Sequence, residues 1–324
     1  MSVTSILVTG ASGFIGTSLV RHLSQSQHYA LTAAARSRIP LPSGVRLAPI
    51  EGIDGTTDWT CALAQAQVVV HLAARVHVMA EESDDPLREY RLVNVEGTLN
   101  LARQASRSGV KRFIFISSIK VNGEKTLPGQ IFRANDTPAP LDPYGVSKLE
   151  AEQGLLELAK NSTMEIVIIR PVLIYGPGVK ANFLNMMRWI RAGYPLPLGA
   201  VKNKRSLVAM DNLVDFIETC ITHPNAANQT FLVSDGEDLS IAELLEKLGN
   251  SLDRPARLIP IPLWVLWSGA VIFRKKNIAQ RLFESLRVDI DKNNRVLGWQ
   301  PPVNVTTALE ATAKNFLRDN RNRD

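Results

Sequence analysis

The chain has 324 residues, of which 45% are hydrophobic and 21% are charged, and its formal net charge is +6 at pH 7. This length and composition are typical of a globular protein with a large core and exclude a mostly disordered chain. Two cysteines, Cys61 and Cys220, are too few for a disulfide framework or a cysteine metal site, and we expect both to be buried core residues. We expect no metal, and without a basic helix carrying aromatic residues we expect no nucleic acid partner.

A glycine-rich turn near the N-terminus follows the apolar run Ile6–Val8 and precedes a helical pattern. Strand, glycine turn and helix together are the context of a dinucleotide-binding site, with the helix N-terminus facing the phosphates. Gly10 permits the tight turn, Gly13 lets the backbone approach a pyrophosphate, and Gly16 lets the helix pack close to its strand. We therefore predict cofactor contacts from the turn residues Gly10, Ser12, Gly13, Phe14, Ile15 and Gly16.

Apolar runs of strand length alternate with helical patterns in the first half of the chain, at 6–8, 31–35, 45–50, 68–72, 112–116 and 165–169. This alternation predicts an α/β fold with a Rossmann-type, doubly wound parallel sheet covered by helices on both faces. We divide the chain into a dinucleotide-binding domain at 1–170 and a smaller C-terminal α/β substrate lobe, mainly at 171–324, whose segments can interleave. In the lobe we predict helices near 183–192, 211–222, 240–250 and 305–318 and short strands at 229–233 and 257–259.

Two arginines, Arg36 and Arg38, follow the second predicted strand, where an NAD site usually carries an acidic residue. Arginine suits the 2′-phosphate of NADP(H), so the sequence favours NADP(H), and NAD(H) is the alternative if these are ordinary loop charges. Asp54 follows the third strand and is predicted either to reach the adenine or to cap a turn. His71 is expected to be a packed strand residue. The residues after it leave room for the cofactor, and contacts are predicted from Leu72, Ala73 and Ala74.

Polar residues follow the fifth predicted strand, where ligands bind in open α/β sheets. Ser117 and Ser118 stand at its end, and Tyr144 and Lys148 come later at the start of a predicted helix. The i, i+4 spacing places phenol and amine on one helix face. A cationic amine near a phenol lowers the phenol pKa, which would make Tyr144 a proton shuttle near neutral pH. The alternative is a surface tyrosine beside a solvated lysine, but the order of glycine turn, serine pair and Tyr-x-x-x-Lys favours catalysis.

The most apolar late stretch, 258–273, contains Trp264 and Trp267 and is followed by three basic residues at 274–276. It is too short and too interrupted by proline to span a bilayer. We interpret it as core of the lobe; a helix lying on a membrane surface, with aromatic residues and a basic flank, is the alternative. Residues 1–8 lack the basic start of a signal peptide, so we expect a cytoplasmic protein.

Together these motifs resemble the extended short-chain dehydrogenase/reductase superfamily, in its nucleotide-sugar epimerase/dehydratase branch, over nearly the whole chain. The matching segments are Thr9–Gly16, Asn94–Thr98, Ser118, Tyr144, Lys148, Arg170–Pro171, Tyr175–Gly178 and Arg295–Trp299. The resemblance implies that Ser118, Tyr144 and Lys148 are catalytic. It also implies that Asn94 and Pro171 join the cofactor contacts, although an asparagine within a helical pattern, taken alone, would be expected to face solvent.

Departures from the family pattern narrow the activity that the resemblance implies. Sugar dehydratases of this branch carry an Asp-Glu pair where this chain has Ile119 and Lys120, so dehydration is disfavoured. Arg36 in place of an acidic residue favours exchangeable NADPH and net reduction. The group of closest resemblance reduces the C4 ketone of a UDP-4-keto-6-deoxy-N-acetylhexosamine to a product of the UDP-N-acetylquinovosamine or fucosamine type, for surface polysaccharide synthesis.

The resemblance also implies roles and partners. Tyr144 would protonate the forming alkoxide while Ser118 bonds the same oxygen, and UDP-sugar contacts are expected from Asn182, Arg205 and Arg281. A homodimer through the helices near 84–107 and 143–160 is expected. Two alternatives stay open: a 4-epimerase of a UDP-sugar or a polyprenyl-diphosphate sugar that uses the same residues, and a non-catalytic NADP(H)-sensing protein on the same fold.

Overall fold

The computed structural model describes residues 3–76, 84–272 and 282–321 and contains two sheets. The strands are β1 (Thr4–Thr9), β2 (Tyr29–Ala35), β3 (Arg46–Pro49), β4 (Val68–His71), β5 (Arg112–Ile116), β6 (Glu165–Pro171), β7 (Leu173–Tyr175), β8 (Arg205–Ala209), β9 (Gln229–Val233) and β10 (Asp238–Leu239). The labelled helices are α1 (Phe14–Leu23), α2 (Thr60–Leu63), α3 (Pro86–Arg91), α4 (Thr98–Arg107), α5 (Pro143–Lys160), α6 (Ala181–Ala192), α7 (Met210–Thr222), α8 (Ile241–Ser251) and α9 (Leu263–Ile272). Two further helices span Asp291–Leu297 and Val305–Arg321.

The larger sheet has seven strands in the order β3-β2-β1-β4-β5-β6-β9, and every pairing in it is parallel. The chain runs outwards from β1 in both directions, which confirms the predicted doubly wound fold. The order therefore changes direction between β1 and β4, and in such sheets ligands bind at the carboxyl edge beside this point. The residues that follow β1, β4 and β5 all come to that edge.

Successive residues of β1 enter different core layers, because side chains alternate across a strand. Ile6 packs with Leu19 of α1 and Phe216 of α7 on one face, whereas Leu7 packs with Leu155 of α5 on the other. Helices therefore cover both faces, and each central strand is buried on both sides. This is why the strands form continuous apolar runs in the sequence rather than alternating ones.

The predicted helix at 84–107 has an irregular centre. Between α3 and α4 the backbone makes a wider π-helical turn, Leu92–Gly97. Such turns rotate the side chains that follow away from their ordinary helical positions, and they are frequent at functional sites. Here the turn contains Asn94, which is fully buried, so the expectation that an asparagine in this helix would face solvent is wrong.

The C-terminal half contributes to both parts of the molecule. β9 pairs with β6 and completes the seven-stranded sheet, so residues beyond 170 belong to it. The second sheet, β10-β8-β7, packs with α6, α8 and the helix Val305–Arg321 around a separate apolar core. The strand predicted at 257–259 is absent from the described residues, where Leu258 makes only an isolated bridge to Leu196. Pro255 and Pro260 flank it and lack the N–H groups that a strand ladder needs.

Two predictions of burial are wrong. Cys61 is exposed at the start of α2, although Cys220 is buried as expected. The apolar stretch forms α9, but Trp264 is 73% exposed and Trp267 is 42% exposed, so it is not lobe core. Among the α9 side chains whose burial is described, Leu266 is partly buried against the lobe core, whereas most of the others are exposed. No helix within the described ranges is long and apolar enough to cross a membrane.

Candidate active site

The glycine turn is shaped by contacts that leave no room for side chains. Gly10 has a φ of +67°, and a Cβ there would lie 2.7 Å from the backbone nitrogen of Ala73, which follows β4. A Cβ on Gly16 would lie 2.2 Å from the Gly10 carbonyl oxygen. The turn therefore packs tightly against both the fourth strand and its own helix, as the glycine spacing predicts.

The N-terminus of α1 fits a phosphate group. Gly13 is its N-cap and supplies no side chain to the first turn, while Ser12 and Gly13 are exposed. Helix N-termini with uncapped amides attract anions through those N–H groups and the helix dipole. Phe14 and Ile15 open the helix and lie partly buried. The chain thus provides a cradle of the kind that a dinucleotide pyrophosphate occupies.

The residues predicted to hold the adenosine end flank this cradle. β2 pairs with β1, so Arg36 and Arg38 follow a strand adjacent to the glycine turn, and both are exposed. Asp54 caps its own turn: its Oδ1 accepts hydrogen bonds from the backbone N–H groups of Thr56 at 2.8 Å and Thr57 at 3.0 Å. The carboxylate also accepts a hydrogen bond from the Thr56 hydroxyl. Together these hydrogen bonds lower the pKa of Asp54, and the bond from the hydroxyl contributes most. The carboxylate is therefore engaged as a turn cap, one of its two predicted roles.

His71 is a packed strand residue, as expected, and it remains neutral. Its Nδ1 lies 2.7 Å from the Thr9 hydroxyl and its Nε2 lies 2.9 Å from the Thr98 hydroxyl. Burial, with a smaller contribution from the positive charge of Lys148, lowers the pKa of His71 to about 3. The ring stacks on Phe115 of β5 at a centroid distance of 5.9 Å. Leu72, Ala73 and Ala74 follow His71 at the carboxyl edge of the sheet.

Asn94 ties three elements together behind this edge. Its Oδ1 accepts a hydrogen bond from the backbone N–H of Arg75 at 2.8 Å, and its Nδ2 donates to the Arg75 carbonyl at 3.0 Å. The same Nδ2 donates to Ser147 Oγ at 3.0 Å, and Ser147 lies on α5 between Tyr144 and Lys148. Asn94 thereby links the segment after β4 to the helix that carries the catalytic candidates.

Ser118, Tyr144 and Lys148 meet at the carboxyl edge of β5. Ser118 follows this strand, and its hydroxyl interacts with the phenol of Tyr144. Tyr144 stands in the first turn of α5, which Asp142 caps by accepting the Gly145 N–H at 2.7 Å. Lys148 lies one turn further on, fully buried, with Nζ 4.2 Å from the centroid of the Phe115 ring. The structure therefore brings together the three residues that the sequence selects.

The pKa values differ from the expectation for this pair. The pKa of Tyr144 is raised to about 12, mainly by burial and to a smaller extent by the Asp142 carboxylate, while the hydrogen bond with the Ser118 hydroxyl opposes the rise. Burial lowers the pKa of Lys148 to about 7, although the negative charge of Glu152 opposes this. The prediction that Lys148 lowers the phenol pKa to near neutral is therefore wrong for the protein alone. Desolvation disfavours both charged forms, so Tyr144 is a neutral phenol and Lys148 titrates near pH 7.

Three ion pairs at this site are not apparent from the motifs. Lys120 Nζ forms an ion pair with Asp142 and a second one, at 3.2 Å, with Glu124. The preceding residue, Ile119, is buried. A positive charge and an apolar side chain thus occupy the two positions where the dehydratases carry acids. The third pair joins Glu152, which lies four residues after Lys148 on α5, to Arg170 of β6, and no local sequence signal could have found it.

The substrate candidates lie in the lobe. Asn182 is exposed in the first turn of α6. Arg205 begins β8, and its Nη1 donates to the Glu284 carbonyl at 3.1 Å. Pro171 ends β6 and is buried. Arg281 lies outside the described residues. The described residues contain no cluster of three or more His, Cys, Asp or Glu side chains that could hold a metal ion.

Comparisons with known proteins agree with this architecture. A family model described as "Epimerase: NAD dependent epimerase/dehydratase family" matches residues 6–234. A Vibrio cholerae protein named UDP-glucose 4-epimerase is 50% identical over 317 residues, covering 98% of this chain and 96% of the relative. An Escherichia coli O157:H7 protein named N-acetyl-alpha-D-glucosaminyl-diphospho-ditrans,octacis-undecaprenol 4-epimerase is 30% identical over 81% of this chain and 77% of its own length.

A solved structure has the same fold. The Bacillus cereus UDP-glucuronic acid 4-epimerase in complex with NAD superposes with a TM-score of 0.78. The superposition covers 97% of this chain and 99% of that one, at 24% sequence identity. The overall fold of this chain is therefore already known from a solved structure.

Proposed function

Because the chain belongs to the NAD dependent epimerase/dehydratase family, we propose that it is a 4-epimerase of a UDP-sugar. One observation carries this proposal: Ser118, Tyr144 and Lys148 share the carboxyl edge of the sheet with the glycine turn, in a chain 50% identical to a UDP-glucose 4-epimerase. Net reduction of a C4 ketone, favoured by the sequence, has less support, because both curated relatives described above are named as 4-epimerases.

Epimerisation at C4 requires the protein to remove one proton from O4 of the sugar and to return it. When bound, the dinucleotide supplies a nicotinamide that accepts a hydride and returns it. Tyr144 takes the O4 proton in the first half-reaction and returns it in the second, and the Ser118 hydroxyl holds the same oxygen. With a pKa of about 12, the neutral phenol suits the returning step. The first step needs a lower phenol pKa, and the buried cation available for this is Lys148.

Elimination of water is not part of the proposal. Dehydration needs one group that removes the proton from C5 and another that protonates the departing C6 hydroxyl, and Ile119 can do neither. Lys120 is held by Asp142 and Glu124, so its ammonium is committed to carboxylates. The chain keeps the phenol and the hydroxyl for O4 but lacks the neighbouring acids, which favours epimerisation or reduction over dehydration.

We propose NADP(H) as the cofactor, with NAD(H) as the alternative. Arg36 and Arg38 are exposed beside the turn that would hold the pyrophosphate, and no described carboxylate forms an ion pair with either. A guanidinium fork binds phosphate oxygens in a bidentate manner, so these side chains suit a 2′-phosphate. Replacing Arg36 by Asp should reverse the preference, which competition binding of NADPH and NADH would measure.

The proposal also includes a substrate site and an oligomeric state. We assign the UDP-sugar to the lobe, where Asn182 and Arg205 are the candidate contacts, and we propose a homodimer formed by α4 and α5 with their counterparts. Leu156 of α5 is 42% exposed, which is consistent with an uncovered apolar position on that helix. Sedimentation equilibrium of wild-type protein and Leu156→Arg would test the dimer.

One experiment separates the candidate activities. The protein is incubated with UDP-glucose and with UDP-N-acetylglucosamine in the presence of NADP+ or NAD+, and with a UDP-4-keto-6-deoxy-N-acetylhexosamine in the presence of NADPH. Products are identified by NMR while absorbance reports NADPH. A 4-epimerase interconverts the first two sugars with their 4-epimers and consumes no NADPH. Oxidation of one NADPH for each keto-sugar, without interconversion, would identify the reductase instead. Binding of NADPH without either reaction would identify the sensing protein.

A further inference from the structure

The positive charge of this chain is concentrated in two segments. Residues 171–210 contain six lysines and arginines, residues 254–283 contain six more, and neither segment contains an acidic residue. The rest of the chain holds 25 basic and 31 acidic residues. The net charge of +6 therefore comes entirely from these two segments, and the remainder of the protein is negative.

The described parts of the two segments, 171–210 and 254–272, contact each other in the lobe. The backbone N–H of Leu196 donates to the Arg257 carbonyl at 2.8 Å, and the N–H of Ile259 donates back to the Leu196 carbonyl at 2.9 Å. A Cβ on Gly193, at the end of α6, would lie 2.7 Å from Arg254 Nη2. The end of α6 and the approach to α9 thus form one continuous surface.

Large apolar side chains are exposed on this surface. Tyr194 is 59% exposed, and Trp189 on α6 is 45% exposed. Ile259, Leu263, Trp264 and Trp267 are also exposed on or before α9. We call these six residues the aromatic face. Exposed apolar side chains that occur singly are normal, but six of them on two segments that contact each other indicate an interaction site.

The arginines around the aromatic face carry unneutralised charge. Arg188, Arg254 and Arg257 are exposed, and among the described residues no carboxylate forms an ion pair with any of them. By contrast, Lys204, next to the start of β8, pairs with Glu243, so its charge is already neutralised. The exposed arginines are therefore available to an anionic partner.

We propose that the aromatic face and its arginines dock the protein onto the surface of an anionic phospholipid bilayer. Tryptophan and tyrosine prefer the boundary between acyl chains and headgroups, and neighbouring arginines attract anionic headgroups. An anionic protein partner would match the charge but offers no reason for the exposed tryptophans. The described part of α9 has ten residues, about 15 Å of helix, which is half the thickness of a bilayer core, so we place this part on the membrane surface rather than across it.

Vesicle sedimentation with the full-length protein tests this proposal. Wild-type protein should pellet with vesicles of phosphatidylcholine mixed with phosphatidylglycerol, and bind phosphatidylcholine alone at least about tenfold more weakly. Added salt should weaken the binding. Because Trp59 and Trp299 are already buried, a blue shift of tryptophan fluorescence on vesicle addition would report Trp189, Trp264 and Trp267 entering the interface.

Variants locate the docking surface. Trp264→Ser with Trp267→Ser should lower vesicle binding at least about tenfold, as should Arg188→Glu with Arg257→Glu. The matched controls are Leu127→Ser, an exposed apolar residue elsewhere, and Lys111→Glu with Arg295→Glu, the same change of charge on other surfaces. Both controls should bind as the wild type does.

Three results would overturn the proposal. The protein could remain in the supernatant with both vesicle types, or the variants could bind as well as their controls. Size-exclusion chromatography could also show that the tryptophan variant dissociates an oligomer, which would mean that a second copy covers the aromatic face. Circular dichroism of each variant excludes unfolding as the cause, since these side chains are exposed and their loss should cost little stability.

Discussion

Arg170 and Glu152 form a two-point ion pair inside the protein. Arg170 Nε donates to Glu152 Oε1 at 2.9 Å, Nη2 donates to Oε2 at 2.5 Å, and both side chains are buried. Arg170 Nη1 also donates to Asn122 Oδ1 at 2.9 Å, in the segment that follows Ser118. This pair therefore joins β6, α5 and the segment after β5, and it places a negative charge one turn from Lys148.

Breaking this pair should destabilise the fold more than breaking an exposed one. Glu152→Gln leaves the buried guanidinium of Arg170 without its counter-charge, which should cost about 3–5 kcal/mol. Glu150→Gln on the same helix is the matched control, because its pair with Arg91 is largely exposed and should contribute less than about 1 kcal/mol. Urea unfolding monitored by circular dichroism measures both values. Equal losses for the two variants would contradict this account.

Lys148 should make stability depend on pH in a defined window. The unfolded chain holds a proton on this lysine up to about its ordinary pKa of 10.5, whereas the folded chain holds it only up to about pH 7. Between these values the unfolded state binds more protons, so stability rises with pH. Relative to Lys148→Met, the wild type should gain up to about 5 kcal/mol across the window.

Urea unfolding of both proteins from about pH 6.5 to about pH 9 measures this difference. Lys111→Met, at an exposed lysine, is the control and should follow the wild type at every pH. If Lys148→Met and the wild type kept a constant difference in stability, the lysine would not titrate near neutral pH.

Tyr144→Phe should remove turnover and leave dinucleotide binding intact. A positioned acid–base group contributes at least about a hundredfold in rate, and phenylalanine preserves the ring while removing its proton. The ring packs edge-on against Tyr90 at a centroid distance of 6.0 Å, so the fold should be unaffected. Tyr29→Phe, at the opposite end of the parallel sheet, is the control for turnover. Near-normal rates for Tyr144→Phe would exclude Tyr144 from the mechanism.

Gly16→Ala should weaken dinucleotide binding and the fold together. The added methyl group would overlap the Gly10 carbonyl and force the turn away from α1, with a cost of about 1–3 kcal/mol. Gly55→Ala is the matched control, because its methyl group would meet its nearest neighbour at 3.6 Å, an ordinary contact. The rise in melting temperature on adding NADPH should be lost only in Gly16→Ala. A full rise in that variant would show that the turn does not hold the cofactor.

Features that depend on residues close together in the chain could be predicted from the sequence. Glycine spacing predicts the turn because backbone room is a local requirement, and the i, i+4 spacing places Tyr144 and Lys148 on one helix face whatever packs around them. Continuous apolar runs predict a sheet covered on both faces, since each strand must bury both sets of side chains.

The burial and the partners of those residues depend on contacts that form only in the folded chain. Whether Lys148 lowers the pKa of Tyr144 depends on desolvation by elements far away in sequence, and this reverses the local expectation. Asn94 in the π-helical turn bonds to Ser147, and Glu152 pairs with Arg170. These partners are far apart in the sequence and cannot be identified from a local pattern. An apolar helix has the same sequence whether it is covered or bare, so only the fold could show that Trp264 and Trp267 stay outside.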